Sequence, residues 1–129
     1  MVSDAPFDQT VVFITVADLD AATEFYRDGL GLPYVMQEAH CRFFRISKTG
    51  FVGLCQSSTG EAKPSGVVLT LVTDDVDGVC AGLVERGVVL DHEPRRNDAF
   101  NIYHAFLKDP DGNLVEIQRF EQPEWPRDF

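Results

Sequence analysis

The chain is short of basic residues. It carries 11 Lys and Arg against 21 Asp and Glu, a formal net charge of −10 over 129 residues. Nucleic acid and anionic membrane surfaces both recruit basic footprints, so neither is an expected partner. No apolar run approaches the roughly 20 residues of a membrane-spanning helix. The opening stretch MVSDAPFDQT has neither the basic start nor the apolar run of a secretory signal peptide. A cytoplasmic protein is therefore expected. Cysteine is scarce as well. Cys41, Cys55 and Cys80 are an odd number without CxxC spacing, and they read as reduced thiols rather than as a disulfide framework.

What is present is apolar and aromatic. Hydrophobic residues make up 44% of the chain, which excludes disorder, and ten of them are Phe. The length suits one domain with a core of its own. The expected partner is then a small molecule, hydrophobic or aromatic, held in an aromatic-lined interior.

The chain reads as one unit written twice. VVFITV from Val11 is a short β-branched strand. Asp18 follows as a helix N-cap, then Leu19, Ala22, Phe25 and Tyr26 at helical spacing, and Gly29 and Gly31 stop the helix. VVLTLV from Val67 repeats the strand. Asp74 and Asp75 follow, and Val76, Val79, Cys80, Leu83 and Val84 form a helical stripe that ends at Gly87. The copies align at an offset of 56, Val11 with Val67, Asp18 with Asp74 and Gly31 with Gly87. Strand-like runs follow each helix: 33–38, 41–47 and 51–56 in the first half, 88–91, 101–107 and 114–120 in the second. Each half is therefore β-α-β-β-β, with module one at about 8–56, a polar linker at 57–66, module two at about 67–120 and an extended tail at 121–129. Half a chain is marginal alone, so the expected fold is a single α+β domain of two tandem βαβββ modules, a curved, cup-like mixed sheet with helices outside.

Two stretches, VADLDAATEFYRDGLGL (16–32) and FLKDPDGNLVEIQRF (106–120), together with this repeat, make the chain resemble the vicinal oxygen chelate superfamily. Its members include glyoxalase I, bleomycin-resistance proteins, fosfomycin-resistance enzymes and extradiol dioxygenases. The resemblance implies a ligand cleft and a homodimer in which Phe13 and Thr15 of one chain face Glu116 of the other. In metal-dependent members each module supplies a ligand early in its first strand and another in its last strand.

The hairpin at residues 100–120 carries the candidate chemistry. Pro110, Asp111 and Gly112 suit a three-residue loop that sets Asp109 opposite Asn113. Counting back, Phe106 faces Glu116 and His104 faces Gln118. One face then presents Ile102, His104, Phe106, Leu114, Glu116 and Gln118, and the other Tyr103, Ala105, Leu107, Val115, Ile117 and Arg119. A carboxylate among large apolar groups costs several kcal/mol unless it is partnered. Glu116 must therefore meet a metal, His104, a ligand or water.

The metal pattern of the resembled superfamily is incomplete here. Glu116 matches the last-strand ligand of module two, but the first-strand positions are Val11 and Val67, and valine has no lone pair to give. Leu54 and Gln56 stand where module one would supply its last-strand ligand; Gln56, or Gln9 in a slipped register, could coordinate only weakly. No cofactor is expected, and a divalent metal is disfavoured. His40 and His92 read as hydrogen-bonded structural residues. The leading expectation is a metal-free binding protein similar to the bleomycin-resistance branch, which sequesters a drug. Its ligand-binding residues would be Phe13, Thr15, Phe43, Leu54, Gln56, Leu69, Ile102, His104, Phe106, Glu116 and Gln118, and an acidic cleft would favour cationic or neutral ligands. The alternative is an enzyme, a metal-dependent lyase, isomerase or dioxygenase with Glu116 as ligand, or metal-free acid–base catalysis by Glu116 and His104. Trp125, between two prolines, is expected in an extended tail over the cavity mouth or across a partner subunit.

Overall fold

The structure, a computed structural model, describes residues 5–127. The chain forms two compact units, one reaching to Ala62 and including Pro126, the other Lys63–Trp125. Each has the same build. In module one, β1 (Thr10–Val16) leads into α1 (Leu19–Thr23), a wider π-helical turn (Glu24–Gly29), then β2 (Tyr34–Glu38), β3 (Cys41–Arg45) and β4 (Gly50–Gln56). Module two repeats this with β5 (Val68–Val72), α2 (Val76–Glu85), β6 (Arg95–Asn97), β7 (Ile102–Lys108) and β8 (Leu114–Phe120). The sheet orders are β1-β4-β3-β2 and β5-β8-β7-β6. In each, the first and last strands pair parallel and the others antiparallel. The expected α+β fold of two βαβββ modules is the fold the chain adopts. Among the described residues no helix is long and apolar enough to cross a membrane.

Strand parity divides each sheet into a helix-facing side and an opposite side. In module one, Ile14, Val16, Phe44, Val52 and Leu54 are buried toward the helix, where Arg42 reaches Asp20 and Thr23 of α1. Phe13, Thr15, Phe43, Gly53 and the cysteines alternate onto the other side. In module two, Leu69, Ala105, Leu107, Val115 and Ile117 form the buried layer beneath α2. Burial of each of these side chains larger than alanine stabilises its module by about 1.5–3 kcal/mol.

The repeat runs at a different offset from the expected 56. Asp18 caps α1, accepting from the backbone N–H of Asp20 and Ala21, but the cap of α2 is Asp75, not Asp74, accepting from Gly78. The offset is therefore 57 through the first strand, which pairs Val11 with Val68 rather than Val67. It returns to 56 at Gly31 and Gly87, which both take left-handed φ, 80° and 90°. Module one thus holds one extra residue between cap and glycine. The π-helical turn absorbs it: the N–H of Leu30 donates to the carbonyl of Phe25, five residues back, at 2.8 Å.

Two further expectations are corrected. The run 88–91 makes only an isolated bridge, Leu90 with Leu107, and the strand beside β7 is Arg95–Asn97. Asp91 N–H still donates to the Phe106 carbonyl at 2.7 Å, but the next ladder position is taken by the His92 ring, whose Nε2 accepts from Phe106 N–H at 3.3 Å. Pro94 then has no N–H to donate, so pairing resumes one residue later. The cysteines are not all reduced. Cys41 and Cys55 stand directly opposite across β3 and β4 and form a disulfide, S–S 2.09 Å. Spacing along the chain hid a pair that hairpin register brings together. Cys80 is a buried free thiol, and burial pushes its pKa up, with Asp77 adding to the shift.

Candidate functional site

The turn at KDPDGN fixes the register of the site. Asp109 is buried and its carboxylate accepts from the N–H groups of Asp111 and Asn113 and from the Asn113 side-chain amide, at 2.8–2.9 Å. Gly112 takes φ 83°, and Asp109 N–H donates to the Asn113 carbonyl. A loop closed in this way allows one register, and it sets Phe106 opposite Glu116 and His104 opposite Gln118, as counted from the sequence.

Glu116, His104 and Gln118 are all buried on the side of the sheet away from α2. Thr70 from β5, the cross-strand partner of Glu116, donates its hydroxyl to Oε1 at 2.8 Å. With its amide nitrogen turned toward the carboxylate, Gln118 donates to both oxygens, at 3.0 and 2.8 Å. His104 Nδ1 lies 2.7 Å from Oε2. Since Thr70 and Gln118 already donate, the carboxylate acts as acceptor and His104 contributes Nδ1–H. Three donors therefore offset the cost of burying this group. The same contacts hold the imidazole in one tautomer, with Nε2 on the far edge of the ring and no protein partner among the described residues.

Two cavities meet at His104 and Phe106. One, about 410 Å³, is bounded by Phe100, Ile102, His104, Phe106, Glu116 and Phe120. Trp125 stacks on Phe120 with ring centroids 3.7 Å apart, so the tail buttresses this wall. The other, about 490 Å³, is bounded by His92, Arg95, Asp98, His104 and Phe106. His92, His104 and Phe106 pack edge to face at 5.2–6.0 Å. His92 is spoken for on both nitrogens, by the Glu93 carbonyl and the Phe106 N–H, as expected of a structural residue. The carboxylates at the second cavity are paired, Asp91 with Lys108 and Asp98 with Arg96. Arg95, the strand partner of His104, has no ion pair among the described residues.

The chain matches the family described as the glyoxalase/bleomycin resistance protein/dioxygenase superfamily over residues 7–117. It belongs to that superfamily. The uncharacterized protein YraH of Bacillus subtilis (strain 168) is 29% identical over 119 residues, covering 82% of this chain and 93% of that protein. A glyoxalase/bleomycin resistance protein from Streptomyces sp. CB03234 is 28% identical, with a TM-score of 0.65 over 84% of this chain and 97% of that one. A lactoylglutathione lyase from Agrobacterium tumefaciens is similar in fold alone: TM-score 0.72, 21% identity, 95% and 100% coverage.

Within the superfamily's βαβββ frame the expected site residues separate into three groups. Ile102, His104, Phe106, Glu116 and Gln118 come together around the module-two cavities. Phe13, Thr15 and Phe43 share the corresponding side of module one, where Phe13 and Phe43 meet edge to face at 5.7 Å. Leu54, Gln56 and Leu69 are corrected: strand parity turns all three toward the helices. Leu54 is fully buried there, and Gln56 accepts from Leu19 N–H and donates to the Ala17 carbonyl, closing the first turn of α1. Thr70, Arg95, Phe100 and Phe120 escaped sequence reasoning. Thr70 was within reach, because Leu69 and Leu71 mark one side of VVLTLV and leave Thr70 on the other.

A superfamily-type metal does not fit the residues present. The first-strand positions are Val11 and Val68, neither a ligand. The register partner of Phe13 is Gly53, as Glu116 is of Thr70, so the module-one counterpart of Glu116 has no side chain. Gln56 is committed to the helix, and Glu116 already receives three donors.

Proposed function

We propose that this protein binds a small molecule, with an aromatic or otherwise apolar body, in the metal-free cavities of module two. The observation that carries this reading is the Glu116 network. Its carboxylate is satisfied internally by Thr70, His104 and Gln118, so it organises the cavity floor rather than awaiting an ion. Phe106 and Phe100 supply apolar surface, and His104 Nε2 and Arg95 are among the polar groups left for a ligand. This revises the ligand charge expected from composition. The protein is acidic overall, but the unpaired group at the cavity is a guanidinium, which favours a carboxylate or similar anion on the ligand. Sequestration of a drug, a homodimer completing the cleft and a cytosolic location belong to the same reading.

Calorimetry with 2-naphthoate and 2-naphthylmethylammonium, one aromatic body with opposite charges, tests it. The anion is expected to bind at least about tenfold tighter, a difference of about 1.4 kcal/mol. Phe106→Ala should weaken both, and Arg95→Ala should erase the difference. Equal binding of the two, or none, sinks the reading.

One observation favours a second reading, an acid–base enzyme. His104 is held at Nδ1 by Glu116 with Nε2 unbonded, the arrangement of an oriented general base. Proton abstraction beside a carbonyl would place the developing negative charge near Arg95. Deuterium exchange from solvent into enolisable carboxylic acids, followed by NMR and lost in His104→Ala, would establish it. Absence of exchange across such a panel would leave the binding reading alone.

A further inference from the structure

We propose that His40, Cys41 and Cys55 form a zinc site when the Cys41–Cys55 pair is reduced. Nδ1 or Nε2 of His40 and the two Sγ atoms all lie within 4.8 Å of one another. Tetrahedral zinc with bonds of about 2.3 Å to sulfur and 2.0 Å to nitrogen sets its ligand atoms roughly 3.5–3.8 Å apart, so the trio needs only side-chain adjustment to enclose the ion. Thiolate with imidazole is the donor set that zinc favours. This site is separate from the cavities of module two and does not depend on their function.

The backbone delivers His40 to the cysteines. β2 and β3 join through a two-residue turn, Ala39 and His40, between the paired residues Glu38 and Cys41. Ala39 takes φ 51°, a left-handed conformation that is sterically unfavourable for alanine. Gln37 donates to the Ala39 carbonyl at 3.0 Å, and Gln56 N–H, one residue past Cys55, donates to the His40 carbonyl at 2.9 Å. The turn is thereby tied to β4 beside Cys55. The imidazole itself is exposed and makes no hydrogen bond among the described residues, contrary to the structural role expected of it. Both cysteines are half-buried and reachable from solvent. A fourth position would be left to water.

The chemistry is a closed exchange. A dithiol reductant takes up the disulfide, becoming a disulfide itself and leaving two Cys thiols. Zn²⁺ then displaces two protons, forming two Zn–S bonds and one Zn–N bond. Hydrogen peroxide reverses it: the two thiolates give up two electrons to reform S–S, the peroxide and two protons become two waters, and Zn²⁺ is released.

The test uses full-length chain in two states, oxidised and reduced with dithiothreitol that is then removed without air. Zn²⁺ is titrated against a chromophoric chelator, and Co²⁺ is added separately to read thiolate-to-cobalt charge transfer. The reduced chain is expected to bind about one Zn²⁺ and show the charge-transfer band, and the oxidised chain to do neither. His40→Ala should weaken zinc about tenfold or more, since even an outer contact to a ligand is worth that much. Cys41→Ser and Cys55→Ser should each remove the band. No zinc on the reduced chain, equal zinc on the oxidised chain, or a band that survives both serine variants would overturn the proposal. The oxidised wild type decides the matter even if a serine variant fails to fold.

Discussion

The two modules share a backbone plan and have opposite interiors on the side away from their helices. Register aligns Phe13, Cys41, Phe43, Gly53 and Cys55 of module one with Thr70, His104, Phe106, Glu116 and Gln118 of module two. Where module two has the cross-strand pair His104–Gln118, module one has the disulfide pair Cys41–Cys55. Where module two has a carboxylate with three donors, module one has a glycine whose vacant space is filled by two phenyl rings. A Cβ on Gly53 would fall 2.8 Å from Phe13 and 3.1 Å from Phe43. One scaffold therefore supports a polar network in one copy and an aromatic cluster with a covalent staple in the other. Strand register dictates which positions meet, and side-chain identity dictates what they do there.

The comparison breaks most visibly at Glu116. Glu116→Ala leaves His104, Thr70 and Gln118 facing one another without their acceptor. Leaving a buried donor without its acceptor costs about 1–3 kcal/mol, and urea unfolding should show a loss of at least that size. A loss below about 1 kcal/mol would mean the network is open to water. The matching operation in module one is reduction of Cys41–Cys55. The bond closes a loop with a sequence separation of 14, for which chain entropy gives about 3 kcal/mol. Unfolding with and without reductant, in a Cys80→Ala background and with zinc chelated, should show a loss of up to that size. No change would show that the strands hold the pair without help.

Gly53→Ala sharpens the contrast. The added methyl meets two aromatic rings in a well-packed cluster, and overpacking of this kind costs about 1–3 kcal/mol. Phe13→Ala should recover most of it, because Phe13 supplies the nearest atoms. If the double variant is no better than the sum of the single ones, the strain lies elsewhere and the steric account of Gly53 fails.

Much of this plan was legible in the sequence, for identifiable reasons. The KDPDGN turn sets its own register through Asp109 and Gly112, so the facing of His104 and Glu116 could be counted from local chemistry alone. The β-α-β-β-β order followed from strand composition and helix spacing. The faces of Leu54 and Gln56 did not, because the parity of β4 is set by its parallel pairing with β1, which nothing local announces; nor did that of Leu69, because a repeat offset wrong by one residue inverts every side chain of a strand. That error came from the extra residue in the π-helical turn, which leaves both glycines at the apparent offset while shifting everything before them. Arg95 opens β6 just past a proline, and His40 lies in the β2–β3 turn beside a left-handed alanine, so the positions of both depend on that backbone and on contacts to strands far away in sequence. Nothing in their own sequence indicates where they arrive. The disulfide needed the β3–β4 register, which no turn motif announces.

The smallest test concerns the caps that set that offset. Asp18 accepts from two backbone N–H groups, at 3.0 and 3.2 Å, at the start of an α-helix of five residues that gives way at once to the π-helical turn. Asp75 accepts from one, at 3.0 Å, ahead of ten residues of regular helix. Replacing an aspartate cap by alanine costs about 0.5–2 kcal/mol. Asp18→Ala should fall in the upper part of that range and Asp75→Ala in the lower, since the short helix has fewer internal hydrogen bonds over which to spread the loss. Gln56 works against this ordering, because its Oε1 still holds Leu19 N–H at 2.8 Å when Asp18 is gone. The double variant Asp18→Ala, Gln56→Ala separates the two effects. If Asp18→Ala alone is as mild as Asp75→Ala and the double variant loses far more than the sum, Gln56 is the stronger half of the cap. Its place on the helix-facing side would then be explained by what it does for α1.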